Sequence, residues 1–379
     1  MKISYKWLKE ILDFKLDPHQ TSVLLTDIGL EVERDEEYEN IKGGLQGLIV
    51  GEVKSVEKHP NADRLSITQI DLGENENYTI VCGAPNVKKG QKVVVAKPGT
   101  TIYPKNNSSF EIKNAKIRGQ ESFGMICAED EIGLGDGHDG ILVLDKDANI
   151  GDSAAKYFNV FRDTIFEIGL TPNRADAMSH YGVARDLLAA LKFKKLLPSS
   201  SVLKAIPEKS QIATRKNIEI NISIENSVQC QRYTGIVIKN IQVKPSPKWL
   251  KDILESIGIK PINNIVDVTN YVLHNFGQPL HAFDLDKIIG NEIIVRSPKD
   301  QTLFTTLDGQ ERKLDKEDIM ICNSKKEMCL AGVFGGFESG VTEKTKSIFI
   351  ESALFNPVTI RKTAKRHSLN TDASFRYER

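Results

Sequence analysis

The chain has 379 residues, more than one hydrophobic core usually organises, so two or three domains are expected. With 40% hydrophobic and 27% charged residues, and no apolar run near the roughly 20 residues a bilayer span needs, the composition is that of a soluble globular protein and excludes a helical membrane protein. Lys+Arg and Asp+Glu are equal at 51 each, so attraction to nucleic acid has to come from a local basic face.

The first residues lack the apolar core and small-residue cleavage site of a signal peptide, which predicts a cytoplasmic location. The opening predicts a short helix around Ser4 to Phe14 and a second from about Pro18 to Ile28. Gly29 stands where a left-handed helix cap is needed, and the strand-like Leu30 to Glu33 follows. A unit of about 35 residues cannot bury a stable core alone, so it is expected to complete itself with a later segment.

From about Leu45 to Leu144 the chain changes to short β-rich runs (LIVGEV, LSITQIDL, YTIVCG, KVVVAK, FEIKNAKIRG, GILVL) separated by Gly, Pro and Asn turns, which predicts a small closed barrel. Charge is segregated within it. Asn86 to Gln120 carries eight Lys/Arg against Glu111 alone, whereas Glu121 to Asp152 carries nine acidic residues and only Lys146. After Gly151 come a helix, the strand Thr164 to Ile168, and TPNRADAMSHYGVARDLLAAL, where Asn173 or Asp176 is available to cap a long amphipathic helix. The reading is a discontinuous N-terminal α+β domain, 1–39 plus 152–191, into which a barrel, 40–151, is inserted. A Lys-, Ser- and Pro-rich linker, 192–216, then leads to a mixed α/β domain, 217–379, with strands IEINISI and YTGIVIKNI and a helix near Pro247 to Ile257.

Gly135-x-Gly137-x-x-Gly140 matches a dinucleotide fingerprint only as a string, because the strand-like Ile141 to Leu144 follows where a helix N-terminus is required. No P-loop, HExxH or GxSxG string is present, so phosphoryl transfer, zinc proteolysis and serine esterase chemistry lack their usual signatures. The five cysteines are scattered without a CxxC pair and read as reduced, mostly buried thiols; no metal site is expected.

In the last third, VTN and then His281 place a hydroxyl, an amide and an imidazole in a stretch rich in loop signals. FGG provides two glycines where backbone approaches closely. Glu351, in IFIESALF, either faces solvent from a strand or is a buried carboxylate in need of a partner.

Two sets of segments resemble known families. IVGEVKSVEKHPNADRLSITQIDLG, IVCGAPNV, KVVVAKPGT and IKNAKIRGQESFGMICAEDEIGL resemble, in order, the tRNA-binding oligonucleotide-fold (OB-fold) module of several synthetases. Candidate phosphate-facing residues there are Lys58, His59, Arg64, Lys113, Lys116 and Arg118. NNIVDVTNYVLHNFGQPLHAFD, LAGVFGGFESGVTEKTKSIFIESALFNP and RKTAKRHSLNTDASFRYER resemble the editing region of the bacterial phenylalanyl-tRNA synthetase β subunit. The resemblance covers essentially the whole chain, and the family continues well beyond RYER, so a truncated chain is expected.

That resemblance implies a multidomain α+β fold: an OB-fold β-barrel inserted in a small α+β domain and followed by a mixed α/β editing domain. It implies tRNA binding and hydrolysis of misacylated Tyr-tRNA(Phe), because an apolar synthetic pocket rejects an added hydroxyl poorly and a second, hydrolytic site is needed. By resemblance Glu351 accepts a hydrogen bond from the tyrosine hydroxyl, and phenylalanine leaves that carboxylate unpaired. Gly335 and Gly336 form the pocket wall. His281, Thr269 and Asn270 orient water and ester, and Thr371 and Ala373 line the site. Lys260 stands before PIN where several relatives place Arg, which keeps the charge without the bidentate fork. His281 is expected to act as a neutral imidazole, with editing falling on the acid side of histidine's usual pKa. The implied partners are tRNA(Phe) and an α subunit, as an α2β2 assembly. ATP and Mg serve the synthetic centre of the holoenzyme and no cofactor is expected in this chain. The alternative is a non-catalytic tRNA-binding and assembly module, which deacylation of Tyr-tRNA(Phe) distinguishes.

Overall fold

The computed structural model describes residues 1–105, 108–204 and 219–379. Contacts divide the chain into two units, Glu37–Asp163 and the combination of Met1–Glu36 with Thr164–Arg379. The architecture is mixed α/β with a nearly closed, barrel-like sheet in the first of these. No helix among the described residues is long and apolar enough to cross a membrane.

Helix α1 (Tyr5–Ile11) begins where the Ser4 hydroxyl accepts the Trp7 N–H at 2.9 Å, and it ends before the expected Phe14. Helix α2 (Pro18–Asp27) is held by a reciprocal cap between Asp17 and Gln20. Gly29 follows at φ 85°, which lets the Leu30 N–H turn back to Leu25 O at 2.9 Å. The next strand runs Glu31–Glu39, well past Glu33, because its acidic, exposed sequence hides a backbone pairing that side-chain periodicity does not report. It lies in a three-stranded sheet with Lys2–Ser4 and the central strand Arg162–Gly169.

In the unit Glu37–Asp163 the long strand Leu48–Lys58 sits between Lys92–Ala96 and Ser66–Asp71, with Tyr78–Cys82 and Met125–Ile126 at the two ends of the order. The ends approach each other: Phe123 N–H donates to Thr79 O at 2.9 Å, and the Val81 N–H to Ser122 Oγ at 3.1 Å. Val50, Val53, Ile70, Ile80, Val93, Val94 and Val95 are fully buried, so β-branched side chains fill the barrel. Helix α3 (Ala154–Tyr157) closes this unit on a Ser153 cap.

Helix α4 (His180–Phe193) is capped by Ser179, whose hydroxyl accepts the Gly182 N–H at 3.0 Å, not by Asn173 or Asp176. Asp176 is committed to ion pairs with Arg174 and Arg185, and Ala175–Ala177 forms a separate 3-10 turn. From residue 205 the expected linker lies outside the described residues, and its first residues, Lys192 and Phe193, complete α4.

Beyond residue 219 two sheets share one core that includes Phe283, Ile293, Met320, Leu330, Phe349 and Phe355. The five-stranded sheet follows the order Asn221–Ile224, Glu292–Arg296, Met320–Cys322, Glu327–Leu330, Phe334–Gly335, with its first pair parallel. In the three-stranded sheet Ser347–Phe355 lies between Cys230–Lys239 and His281–Asp284. Helices α5 (Lys248–Ser256), α6 (Asn264–Phe276), α7 (Pro357–Arg366) and α8 (Asp372–Tyr377) surround them.

α6 is docked on the N-terminal segment through buried aromatic and polar contacts. Trp7 stacks between His180, at 3.9 Å between ring centroids, and Tyr271, at 4.8 Å. The Trp7 indole N–H donates to Asn275 Oδ1 at 2.9 Å. His180 accepts the Ser4 N–H on Nε2, so its Nδ1 carries the proton and donates to His274 O, both at 2.9 Å. Burial pushes the His180 pKa down to about 3, which keeps that neutral tautomer. These contacts hold one side of α6 and leave Thr269 and Asn270 for the cavity on the other.

Candidate active site

A cavity of about 290 Å³ opens between α6, α8, the strand His281–Asp284, and the turn 331–333 with the strand Phe334–Gly335 that follows it. Its walls include Thr269, Asn270, His281, Gly335, Glu351, Thr371 and Ala373, seven of the nine residues proposed for the site from sequence. Leu273, Leu280, Leu307, Val333 and Phe334 supply the apolar surface. The volume falls near the lower end of the roughly 300–1,000 Å³ of ligand pockets.

Glu351 lies in the central strand directly opposite His281, which places both side chains on one face of the sheet. The carboxyl is 3% exposed, which settles the sequence alternatives in favour of a buried acid. The acid has a partner within the fold: Tyr233 donates its hydroxyl to Glu351 Oε2 at 2.7 Å. Burial raises the Glu351 pKa to about 7 although the Tyr233 hydrogen bond pulls the other way.

His281 is partly covered as a residue, but its Nε2 is buried with no hydrogen-bond partner among the described residues. Desolvation lowers its pKa to about 4, so the ring is neutral throughout the physiological range. The titration of this ring therefore lies well below the ordinary histidine range, with burial as its cause.

VTN proves helical, although its surroundings read as loop. Asn263 caps α6 by accepting the Ile265 and Val266 N–H groups at 3.0 Å, so Thr269 and Asn270 are rigidly held on its second turn. The Thr269 hydroxyl donates to Val266 O at 2.7 Å, which leaves its oxygen to accept. Thr371 caps α8 through Ser374 N–H at 3.1 Å and donates to Val333 O at 3.0 Å, so it ties the α8 end to the opposing loop.

Gly336 and Lys260 are not brought to the cavity. A Cβ at Gly335 would lie 2.9 Å from His281 Cε1, which fits a wall residue that must stay small. A Cβ at Gly336 would instead strike the Met328 carbonyl oxygen at 2.3 Å, and this residue lines a neighbouring depression. Its smallness serves strand packing. Gly336→Ala is expected to lower stability by about 2 kcal/mol or more, read by urea unfolding, because backbone cannot yield as a side chain can. Lys260 is exposed just before α6 and lines no part of the pocket.

Sequence reasoning missed Tyr233 and Tyr377. Tyr377 stands inside the RYER string and lines the cavity, a signal that was available. Tyr233 is 118 residues from Glu351 in sequence, and nothing local marks the pairing. All five cysteines are free and buried, and burial pushes the Cys230 and Cys322 thiols up to about 11.

In the barrel unit, Lys58, Arg64, Lys113, Lys116 and Arg118 are exposed. His59 is not: it is 5% exposed, accepts the Asn61 N–H on Nδ1 at 3.1 Å, and so donates from Nε2 to Ile117 O at 3.2 Å. The imidazole pins the 59–65 loop to the hairpin Ala115–Ile117/Gln120–Ser122, and its tautomer is occupied in doing so. Arg118 and Gly119 form the two-residue hairpin turn at φ 49° and 97°, a primed turn that projects Arg118 at its tip.

Residues 229–379 match the family described as "B3/4 domain", and residues 48–153 the family described as "Putative tRNA binding domain". Fold and site thus define a chain that joins a tRNA-binding module to a B3/4 domain. Along its whole length it belongs with the N-terminal part of phenylalanine-tRNA ligase β subunits. The β subunit of Bacteroides fragilis is 54% identical over 380 residues, covering 100% of this chain and 46% of the relative. That of Porphyromonas gingivalis is also 54% identical, and that of Salinibacter ruber 43%, with the same coverages. The chain spans about half the length of the curated relatives it matches. Among solved structures, an N-terminal fragment of the phenylalanyl-tRNA synthetase β-subunit from Pyrococcus horikoshii aligns with 54% of this chain and 62% of its own, at 19% identity and a TM-score of 0.28.

Proposed function

We propose that the chain binds tRNA(Phe) through its barrel and hydrolyses misacylated Tyr-tRNA(Phe) in the cavity of the B3/4 domain. The observation that carries the reading is the coincidence, in one pocket of amino-acid size, of a buried acid and a neutral imidazole whose Nε2 has no partner. The acid reads the tyrosine hydroxyl. The imidazole, with Thr269 and Asn270, orients water on an ester that is already activated, so no covalent nucleophile is required. Gly335, Thr371 and Ala373 shape the wall, and exposed Lys260 contributes only a long-range charge toward the RNA backbone. Single-turnover deacylation of Tyr-tRNA(Phe) by the full-length β chain assembled with its α partner tests this. Absence of hydrolysis would leave the assembly-module reading.

On the same reading the barrel is an OB-fold, and its basic hairpin meets phosphates. Lys113, Lys116 and Arg118 are exposed and form no ion pair among the described residues, which supports their availability. Replacing all three with alanine is expected to weaken tRNA binding and to reduce the slope of log K against log salt by up to about three, near one per phosphate contact. Unchanged affinity and slope would assign the barrel a structural role. ATP and Mg act in the α-subunit centre on this reading. Among the described residues no group of three or more His, Cys, Asp and Glu is arranged to hold a metal ion.

A further inference from the structure

The acid at the base of the pocket already holds a phenol. Tyr233 lies on the strand Cys230–Lys239 opposite Ala353, and Glu351 lies opposite Gly235, so the two side chains share a face on a diagonal that a tyrosine can span. Gly235 leaves the directly opposite position without a side chain, and a Cβ there would strike the Phe349 ring at 2.0 Å. Tyr233 lines no part of the cavity; it reaches Glu351 from behind.

We propose that Tyr233 is a positioning residue for substrate selection: its hydroxyl occupies Oε2 of Glu351 and leaves Oε1 to receive the phenol of a bound tyrosyl group. This rests on the reading of Glu351 as the residue that recognises tyrosine. An ionised carboxylate is acceptor-only with two oxygens, so it can take one phenol on each. A protonated one offers a weaker, neutral bond. The Tyr233 hydrogen bond is what favours the charged form against burial. The other titratable groups around the acid are His281 on one neighbouring strand, Cys230 and Cys329 on others, and Tyr377 on α8. Burial holds each in its neutral state at neutral pH.

The test is the ratio of single-turnover deacylation rates for Tyr-tRNA(Phe) and Phe-tRNA(Phe), measured from pH 6 to 9 with the full-length chain assembled with its α partner. In the wild type the ratio is expected to rise through about pH 7. In Tyr233→Phe the midpoint moves up by about one to two pH units, so selectivity drops about 5-fold to 50-fold at pH 7 and recovers toward pH 9. Incorporating 3-fluorotyrosine, a stronger donor, at position 233 moves it down. The carboxyl infrared band, assigned by its loss in Glu351→Gln, reports the same midpoint without substrate. An unmoved midpoint in either measurement, or a selectivity loss that high pH does not restore, overturns the role of Tyr233. A wild type that hydrolyses no Tyr-tRNA(Phe) overturns the editing reading instead, and the infrared titration then still decides the coupling.

Discussion

Glu351→Ala is expected to abolish preference for the tyrosyl ester while sparing hydrolysis itself. One hydrogen bond to a charged acceptor is worth on the order of 1.5 to 3 kcal/mol, so discrimination should fall roughly 10-fold to 150-fold. Hydrolysis of Phe-tRNA(Phe) should stay level or rise, since an apolar ring no longer faces a buried carboxylate. The substitution also strips the Tyr233 hydroxyl of its acceptor, which costs about 1–3 kcal/mol of stability, so unfolding must be measured beside the rates. Glu351→Gln keeps an acceptor and separates the two effects. The ionisation has its own signature in stability. The native pKa of about 7 lies above the ordinary 4.5, so this group's contribution is fully present below about 4.5 and is lost as pH rises through 7. Glu351→Gln should flatten stability across that window. Equal loss of both deacylation rates in Glu351→Ala would mean that the residue serves the chemistry or the fold and does not read the hydroxyl.

His281→Ala is expected to slow both substrates alike, by about 10²- to 10⁴-fold for a residue that orients or deprotonates the attacking water, with the ratio of rates unchanged. The wild-type rate should be flat in His281 protonation from pH 5.5 to 8, because its native pKa is about 4. The sign for stability is opposite to that of Glu351. A histidine whose native pKa is depressed below 6.5 favours the fold above 6.5 and withdraws that support as pH falls toward 4. Activity and fold should therefore fail together in acid, and circular dichroism recorded at each pH tells loss of catalysis from loss of structure. In Glu351→Gln, where the acid no longer titrates, a rate that falls near pH 6.5 with the fold intact would show that the imidazole is not desolvated. A ratio that changes in His281→Ala would show that it touches the amino-acid side chain.

Several features of this protein were legible in the residues alone. Gly29 announced the end of a helix because only a residue tolerant of positive φ closes it without strain, and the short β-rich runs between Gly, Pro and Asn turns announced the barrel-like sheet. The ordered segments around VTN, His281, FGG and Glu351 carried the family resemblance, and seven of the proposed residues meet in one cavity. What they do there depended on contacts far along the chain. Asp176 was a credible helix cap until two arginines engaged it, and Ser179 took the end of α4 instead. His59 looked like a surface residue for RNA and is a buried pin between a loop and a hairpin, satisfied on both nitrogens. Gly336 matched a ligand wall and answers to the Met328 carbonyl. The ionisation of Glu351 and His281 was beyond the sequence for the same reason. The helix end at Gly29 is decided by residues within a few positions of it, so local sequence determined it. A buried group's partner and its pKa are set by whatever the fold brings within hydrogen-bond reach, and for Glu351 that is a tyrosine 118 residues away, which only the tertiary structure could decide.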